Sequence, residues 1–129
     1  MNYRHAFHAG NVGDCFKHAL LVALLDSLAR KQAAYFVLDT HAGAGRYDLD
    51  GEAAGRTNEA TVGILRLLQR PSPVLARYLG LVEQLGLYPG SPALIQAVMR
   101  GHDRLACCEL HPEDAATHRG RARMYLRIA

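Results

Sequence analysis

The chain has 129 residues, 50% of them hydrophobic and 21% charged, which is the makeup of one soluble globular domain and excludes a disordered segment. Its formal charge of +3 permits a polyanionic partner without demanding one. Three cysteines, Cys15 and the adjacent Cys107 and Cys108, form neither a C-x-x-C pair nor an even framework, so a reducing, cytoplasmic setting is expected.

The first element in chain order is a helix over "GDCFKHALLVALLDSLARK", with Asp14 as N-cap and an apolar face of Phe16, Leu20, Ala23, Leu24 and Leu28. Its apolar run from Ala19 to Leu25 is too short for a membrane span, and no membrane association is expected. Ala34 to Leu38 reads as a strand buried on both faces, which points to α/β layering. A helix follows from Thr57 to Gln69, capped by Thr57 or Asn58 and stopped by Pro71. A second runs from Pro73 to Leu85 with Gly86 as its C-terminal cap, and a third opens at Pro92 and ends at Gly101. Arg104 to Leu110 is a second apolar strand, closing on an acid. "HPED" then opens a helix with Pro112 near its first position and Glu113 and Asp114 at its positive end. The final "RMYLRI" fits either a strand or a helix tail.

The chemistry gathers where the first strand ends. "LDTHAGAGRY" breaks at Asp39 into a turn in which Gly43 and Gly45 remove two Cβ atoms, as a sharp bend or a nearby ligand requires. The third glycine of a dinucleotide fingerprint is missing, and the loop runs on through Arg46 to Leu49 instead of opening a helix that could hold a pyrophosphate. Glu109, at the end of the second strand, stands where nucleotide-binding folds place a ribose-binding acid, although its separation from Gly45 far exceeds the usual interval of roughly 20 residues. A helical insertion over 47–88 accounts for the excess; the other reading of Glu109 is an acid facing water. His41 and Thr40 can hydrogen-bond a carboxylate or another polar group. Asp39, G-x-G and a distant Glu suit S-adenosyl-L-methionine better than NAD. His5, His8, His18, His41 and His111 could ligate a metal, but no H-x₃-H or H-E-x-x-H pattern occurs and none is expected to bind. Arg119, Arg121, Arg123 and Arg127 form either a solvated face or an RNA contact.

Four ordered motifs, "YRHAFHAGNVGDCFKH", "LDTHAGAGRY", "YPGSP" and "ELHP", together resemble the RlmJ family of bacterial methyltransferases, which modify N6 of an adenine in 23S rRNA. The resemblance runs from Tyr3 to about Arg123. It implies a Rossmann-like class I AdoMet-dependent methyltransferase fold, incomplete, in which residues 1–129 are the N-terminal part of one domain and 47–88 a helical insertion subdomain. It implies that His18, His41, Ser91 and Glu109 contact the cofactor beside Gly43 and Gly45, and that Tyr3 and Arg4 touch the RNA. One departure is large. The family's D-P-P-Y motif, which holds the flipped-out adenine, is absent, since the prolines at 71, 73, 89, 92 and 112 are never adjacent. The chain is therefore expected to be part of a longer methyltransferase, to carry no catalytic residue and to lack catalysis alone. A non-catalytic cofactor- or RNA-binding module and an NAD-binding oxidoreductase fragment are the alternatives.

Overall fold

A computed structural model describes residues 4–117 and 125–126. After a short 3₁₀ turn at His5–Phe7, helix α1 spans Val12–Ala29. Its N-cap is Asn11, whose side-chain oxygen accepts from the Asp14 amide at 2.7 Å; Asp14, the expected cap, sits inside the first turn. The buried face also differs from the expected one. Asp14, Cys15, His18, Val22 and Leu25 point inward, while Phe16 (69% exposed) and Leu20 (56%) lie outside together with Ala23, Leu24 and Leu28. The helix is apolar nearly all round, so spacing alone cannot choose its face. Asp14 and His18 suggest water, yet they are buried because they pair with one another and with neighbours.

Strand β1 (Phe36–Asp39) is followed by a two-residue strand, β2 (Arg46–Tyr47). Helices α2 (Glu52–Thr57), α3 (Glu59–Val62) and α4 (Ile64–Gln69), a 3₁₀ turn at Pro73–Leu75 and α5 (Ala76–Leu85) come next. The chain returns through β3 (Tyr88–Pro89), which pairs antiparallel with β2, into α6 (Ser91–Val98), β4 (Arg104–Cys108), α7 (Pro112–Ala116) and β5 (Tyr125–Leu126). β1, β4 and β5 form a parallel sheet in that order, so the final apolar segment does contribute a strand. Among the described residues no helix is long and apolar enough to cross a membrane.

The sheet is covered unequally. Leu105 and Cys107 of β4, with Val37 of β1, pack under Leu25 of α1 and Ile95 of α6. β4 is buried along Leu105–Cys108, but Phe36 and Leu38 of β1 are exposed, which corrects the expectation of a strand buried on both faces. Register is fixed at the amino ends by Asp103. Its carboxylate takes two guanidinium bonds from Arg100 (2.9 and 3.0 Å) and the Tyr35 amide (3.1 Å), and the Arg104 amide bonds the Tyr35 carbonyl at 3.0 Å. That clamp also ends α6 at Val98, ahead of the expected Gly101, because Arg100 turns back to Asp103 and to the carbonyls of Ala29, Lys31 and Ala33.

The single helix expected over Thr57–Gln69 is two short ones, α3 and α4, and Thr57 itself closes α2. Asn58 adopts a left-handed conformation (φ 56°), and Gly63 breaks the chain again where it meets the Gly10–Asn11 backbone. The Ile64 amide donates to the Gly10 carbonyl at 2.8 Å, and a Cβ on Gly63 would lie 2.0 Å from that oxygen. Gly63→Ala should therefore cost about 2 to 4 kcal/mol, since backbone, not a movable side chain, blocks the space. Gly80, exposed inside α5 with nothing near its missing Cβ, should gain about 0.5 to 1 kcal/mol when changed to Ala. Urea unfolding of the two variants checks this; equal stabilities would refute the account.

Candidate functional site

The β1–β4 register aligns Asp39 with Cys107, so both strands end together and the turn from His41 to Gly45 lies beside Glu109. The Ala42 amide bonds the Cys108 carbonyl at 3.1 Å. Glu109 braces the turn: one carboxylate oxygen accepts from the Gly43 amide at 2.7 Å and the other from the His111 amide at 2.8 Å. Both glycines are left-handed, at φ 63° for Gly43 and 81° for Gly45. The space beneath Gly43 is filled by the protein itself. A Cβ there would lie 2.1 Å from the buried Tyr47 hydroxyl, which accepts from the Ala44 amide at 3.0 Å. Burial raises the Tyr47 phenol above its ordinary range, so it stays protonated. Gly45 and Gly90 are joined by an amide–carbonyl bond of 2.8 Å that continues the β2–β3 ribbon.

On the other side of β1's carboxyl end lies a cleft of about 280 Å³, lined by His18, Asp39, Thr40, His41, Ser91 and Lys17 among others. The Ser91 hydroxyl donates to one Asp39 oxygen at 2.5 Å, and the His41 amide to the other at 3.2 Å. Thr40 and His41 are linked by a side-chain bond of 2.9 Å. Three expected cofactor residues, His18, His41 and Ser91, thus converge on one cavity. Gly43, Gly45 and Glu109 do not line it; they shape the turn that carries His41. Asp39, which ties the site's parts together, belongs among the site residues; a strand-end acid before G-x-G was its signal. Arg4 does not line this cleft and is ion-paired to Glu113 (3.0 Å) and Asp114 (3.5 Å) of α7. Tyr3 and the four late arginines lie outside the described residues. A roomier groove of about 560 Å³ between α1 and α4 is almost wholly apolar, with Arg66 its one charged residue, and offers no group for proton chemistry. Among the described residues no three His, Cys, Asp or Glu side chains stand together as a metal site.

Behind the cleft is a buried polar cluster. His18 Nδ1 lies 3.2 Å from the Tyr88 hydroxyl, itself 2.9 Å from the Tyr78 hydroxyl. Asp14 accepts the Gly10 amide at 3.0 Å through one oxygen. Its other oxygen sits 3.1 Å from His5 Nε2, 3.3 Å from Lys17 Nζ and 3.6 Å from His18 Nε2, close ion-pair contacts without well-directed hydrogen bonds. Burial works to raise the Asp14 carboxyl, but His5, His18 and the Gly10 amide outweigh it and hold the group well below the usual carboxylate range. Burial dominates at His18 and pushes its imidazole down to about 4 against the pull of Asp14. Burial likewise raises the Cys15 thiol to about 11 and that of Cys107 to about 12, so both are unreactive.

The family model described as ribosomal RNA large subunit methyltransferase D, RlmJ, matches residues 32–125. The chain belongs to the RlmJ family. It is 43% identical over 122 residues to ribosomal RNA large subunit methyltransferase J of Escherichia coli (strain K12), an alignment covering 88% of this chain and 44% of that protein. With the protein of the same description from Haemophilus influenzae (strain ATCC 51907 / DSM 11121 / KW20 / Rd) it shares 37% identity over 123 residues, with the same coverage. A crystal structure of a Legionella pneumophila str. Philadelphia 1 protein superimposes with a TM-score of 0.82 at 32% identity, covering 95% of this chain and 49% of that one. The chain thus spans about half the length of the RlmJ proteins it matches, and its parallel sheet with helices accords with a methyltransferase fold.

Two outcomes follow from the geometry. Gly43→Ala should cost about 2 to 4 kcal/mol, from the left-handed backbone and the Tyr47 hydroxyl together; in a Tyr47→Phe background only the backbone part, about 1 to 2 kcal/mol, should remain. A double-mutant cycle measures the difference, and strict additivity would show that the hydroxyl is not the obstacle. Stability should also fall between pH 6.5 and 4. In that window the unfolded His18 binds a proton and the folded one does not, so the folded state loses up to about 3 kcal/mol. Below it, protonation of Asp14 removes more. Urea titrations at pH 7.5, 5.5 and 4 report this, and His18→Gln should flatten the upper part.

Proposed function

We propose that this chain binds S-adenosyl-L-methionine in the cleft at the carboxyl end of β1, as the cofactor-binding portion of a cytoplasmic methyltransferase acting on N6 of an adenine in 23S rRNA. The observation that carries the reading is the convergence of His18, His41 and Ser91 around Asp39. In this reading the sheet is the first half of a Rossmann-like methyltransferase domain, and the segment 47–88 is its helical insertion subdomain. The donor set fits the ligand. Ser91 opens α6, whose amino end favours a carboxylate such as that of the methionine moiety. Glu109 stands outside the cleft, across the glycine turn, and each of its oxygens accepts one backbone amide and keeps lone-pair capacity for a ribose hydroxyl of a cofactor that extends from the cleft over that turn. When bound, the cofactor supplies a methyl group activated on a sulfonium. The chain's residues bind and orient it; no D-P-P-Y segment is present to hold the adenine amino group. Tyr3 and Arg4 are the proposed RNA contacts, and Arg4 would exchange Glu113 and Asp114 for phosphate.

Calorimetry with S-adenosylmethionine and NAD tests this. The first should bind and the second should not; the reverse would favour an oxidoreductase. Glu109→Ala should weaken S-adenosylmethionine roughly ten- to a hundredfold, as expected for a bond to a charged acceptor worth about 1.5 to 3 kcal/mol. Unchanged affinity would reduce Glu109 to a brace for the turn. Purified alone, the chain should transfer no labelled methyl to protein-free 23S rRNA. Robust incorporation would show that adenine is held by residues other than that motif.

A further inference from the structure

His18 is gripped from both sides by buried groups that the proposed function leaves unused. Asp14 is 2% exposed and ionised, and a carboxylate only accepts, so the ring proton facing it belongs on Nε2. Nδ1 is then an acceptor and takes the Tyr88 hydroxyl proton, while the Tyr88 oxygen takes that of Tyr78. Burial keeps both phenols protonated. The donors Tyr78 and Tyr88 thus run in one direction toward His18, whose Nε2 proton faces Asp14 at 3.6 Å. Among the described residues the other titratable or charged groups around the ring and its cleft are Cys15 and Lys17 on α1, His5 before it, Asp39 at the end of β1 and His41 on the turn after it. Lys17 is turned to Asp14, 3.3 Å away. His18 lines the cleft with its Nδ1 side held by Tyr88 and its Nε2 side facing Asp14.

We propose that Tyr88 and Asp14 are positioning residues that orient His18 as the Nε2–H tautomer, which burial keeps uncharged, so that the ring adds no positive charge to the cleft beside Lys17 and against a sulfonium ligand. The ligand clause rests on the S-adenosylmethionine reading; the tautomer does not. An imidazolium at that wall would repel S-adenosylmethionine but not the neutral thioether S-adenosylhomocysteine, and Tyr88 disfavours it by donating to the nitrogen that would take the proton.

The test uses the ¹⁵N-labelled chain without ligand, following the histidine ring nitrogens by long-range proton–nitrogen spectra from pH 7 to 5.5. The wild-type His18 ring should stay neutral with its proton on Nε2 throughout. Tyr88→Phe should release it into mixed tautomers and protonation within that range, whereas Tyr78→Phe, which leaves the Tyr88 donor, should not. A wild-type ring protonated on Nδ1, one titrating near the ordinary 6.5, or an unchanged Tyr88→Phe ring overturns the proposal. Calorimetry on the same proteins reads the ligand clause. The ratio of S-adenosylmethionine to S-adenosylhomocysteine affinity should hold within about twofold between the two pH values in wild type and fall about tenfold at pH 5.5 in Tyr88→Phe. A ratio that falls equally in both proteins overturns that clause. Should neither ligand bind while the ring behaves as expected, the tautomer assignment is upheld and the cofactor reading fails.

Discussion

Parallel pairing of β1 with β4 places the Asp39 end of the cleft beside Glu109. The Asp103 carboxylate fixes the amino ends of both strands through Arg100 and the Tyr35 amide, and from there the register brings Asp39 level with Cys107. The chain leaving β1 must then turn over the end of β4, and Glu109 meets it there with an acceptor for the Gly43 amide. A shift of one residue would send Val37 to the outer face and carry Asp39 away from Ser91. The site is therefore built by strand pairing at one end and by charged hydrogen bonds at both.

The wall behind the cleft is organised differently. It is a buried polar cluster inside an otherwise apolar contact between α1, α5 and β3, and such clusters are tolerated only when their members satisfy one another. Here one ionised carboxylate collects three basic neighbours while two phenols feed the opposite side of the ring. The arrangement joins the turn at His5, the first turns of α1 and the β2–β3 ribbon, on which Tyr47 packs edge-on against His5 at 5.2 Å. The ribbon, the glycine turn and the amino-terminal segment are thereby coupled through side chains packed behind the cleft.

Much of this was legible in the sequence. Local chemistry marked the strand ending at Asp39, the strand before Glu109, the cap at Gly86 and the helix at Pro112, because capping and β-propensity act over a few residues. Ordered motifs carried the family. What escaped was decided by distant contacts. α1 has two apolar stripes, and the buried one contains Asp14 and His18, whose partners Gly10, Tyr88 and Tyr78 stand on other elements. Nothing local distinguishes Gly63 from a tolerated helix glycine; its role depends on the backbone of Gly10 lying against it. Phe36 and Leu38 alternate with Val37 as a core strand would, and only the packing of α1 and α6 on the Val37 face shows which side is covered.

One of the two glycines that mark the turn, Gly43, makes room for a group of the protein itself. A G-x-G after a strand suggests that backbone must come close to a bound molecule, yet at Gly43 the body that comes close is the Tyr47 phenol, contributed four residues later. At Gly43 the pattern thus accommodates an internal support. The weight moves to the polar groups that the support holds in place. With Tyr47 beneath Gly43 and Glu109 beside it, His41 is carried on a turn held from two directions, and Asp39 is tied to Ser91 and to the His41 amide. A binding cleft gains from such preorganisation because side chains already fixed lose little further freedom when a ligand arrives. On the proposed reading the phenol beneath the turn therefore contributes to recognition without touching the cofactor.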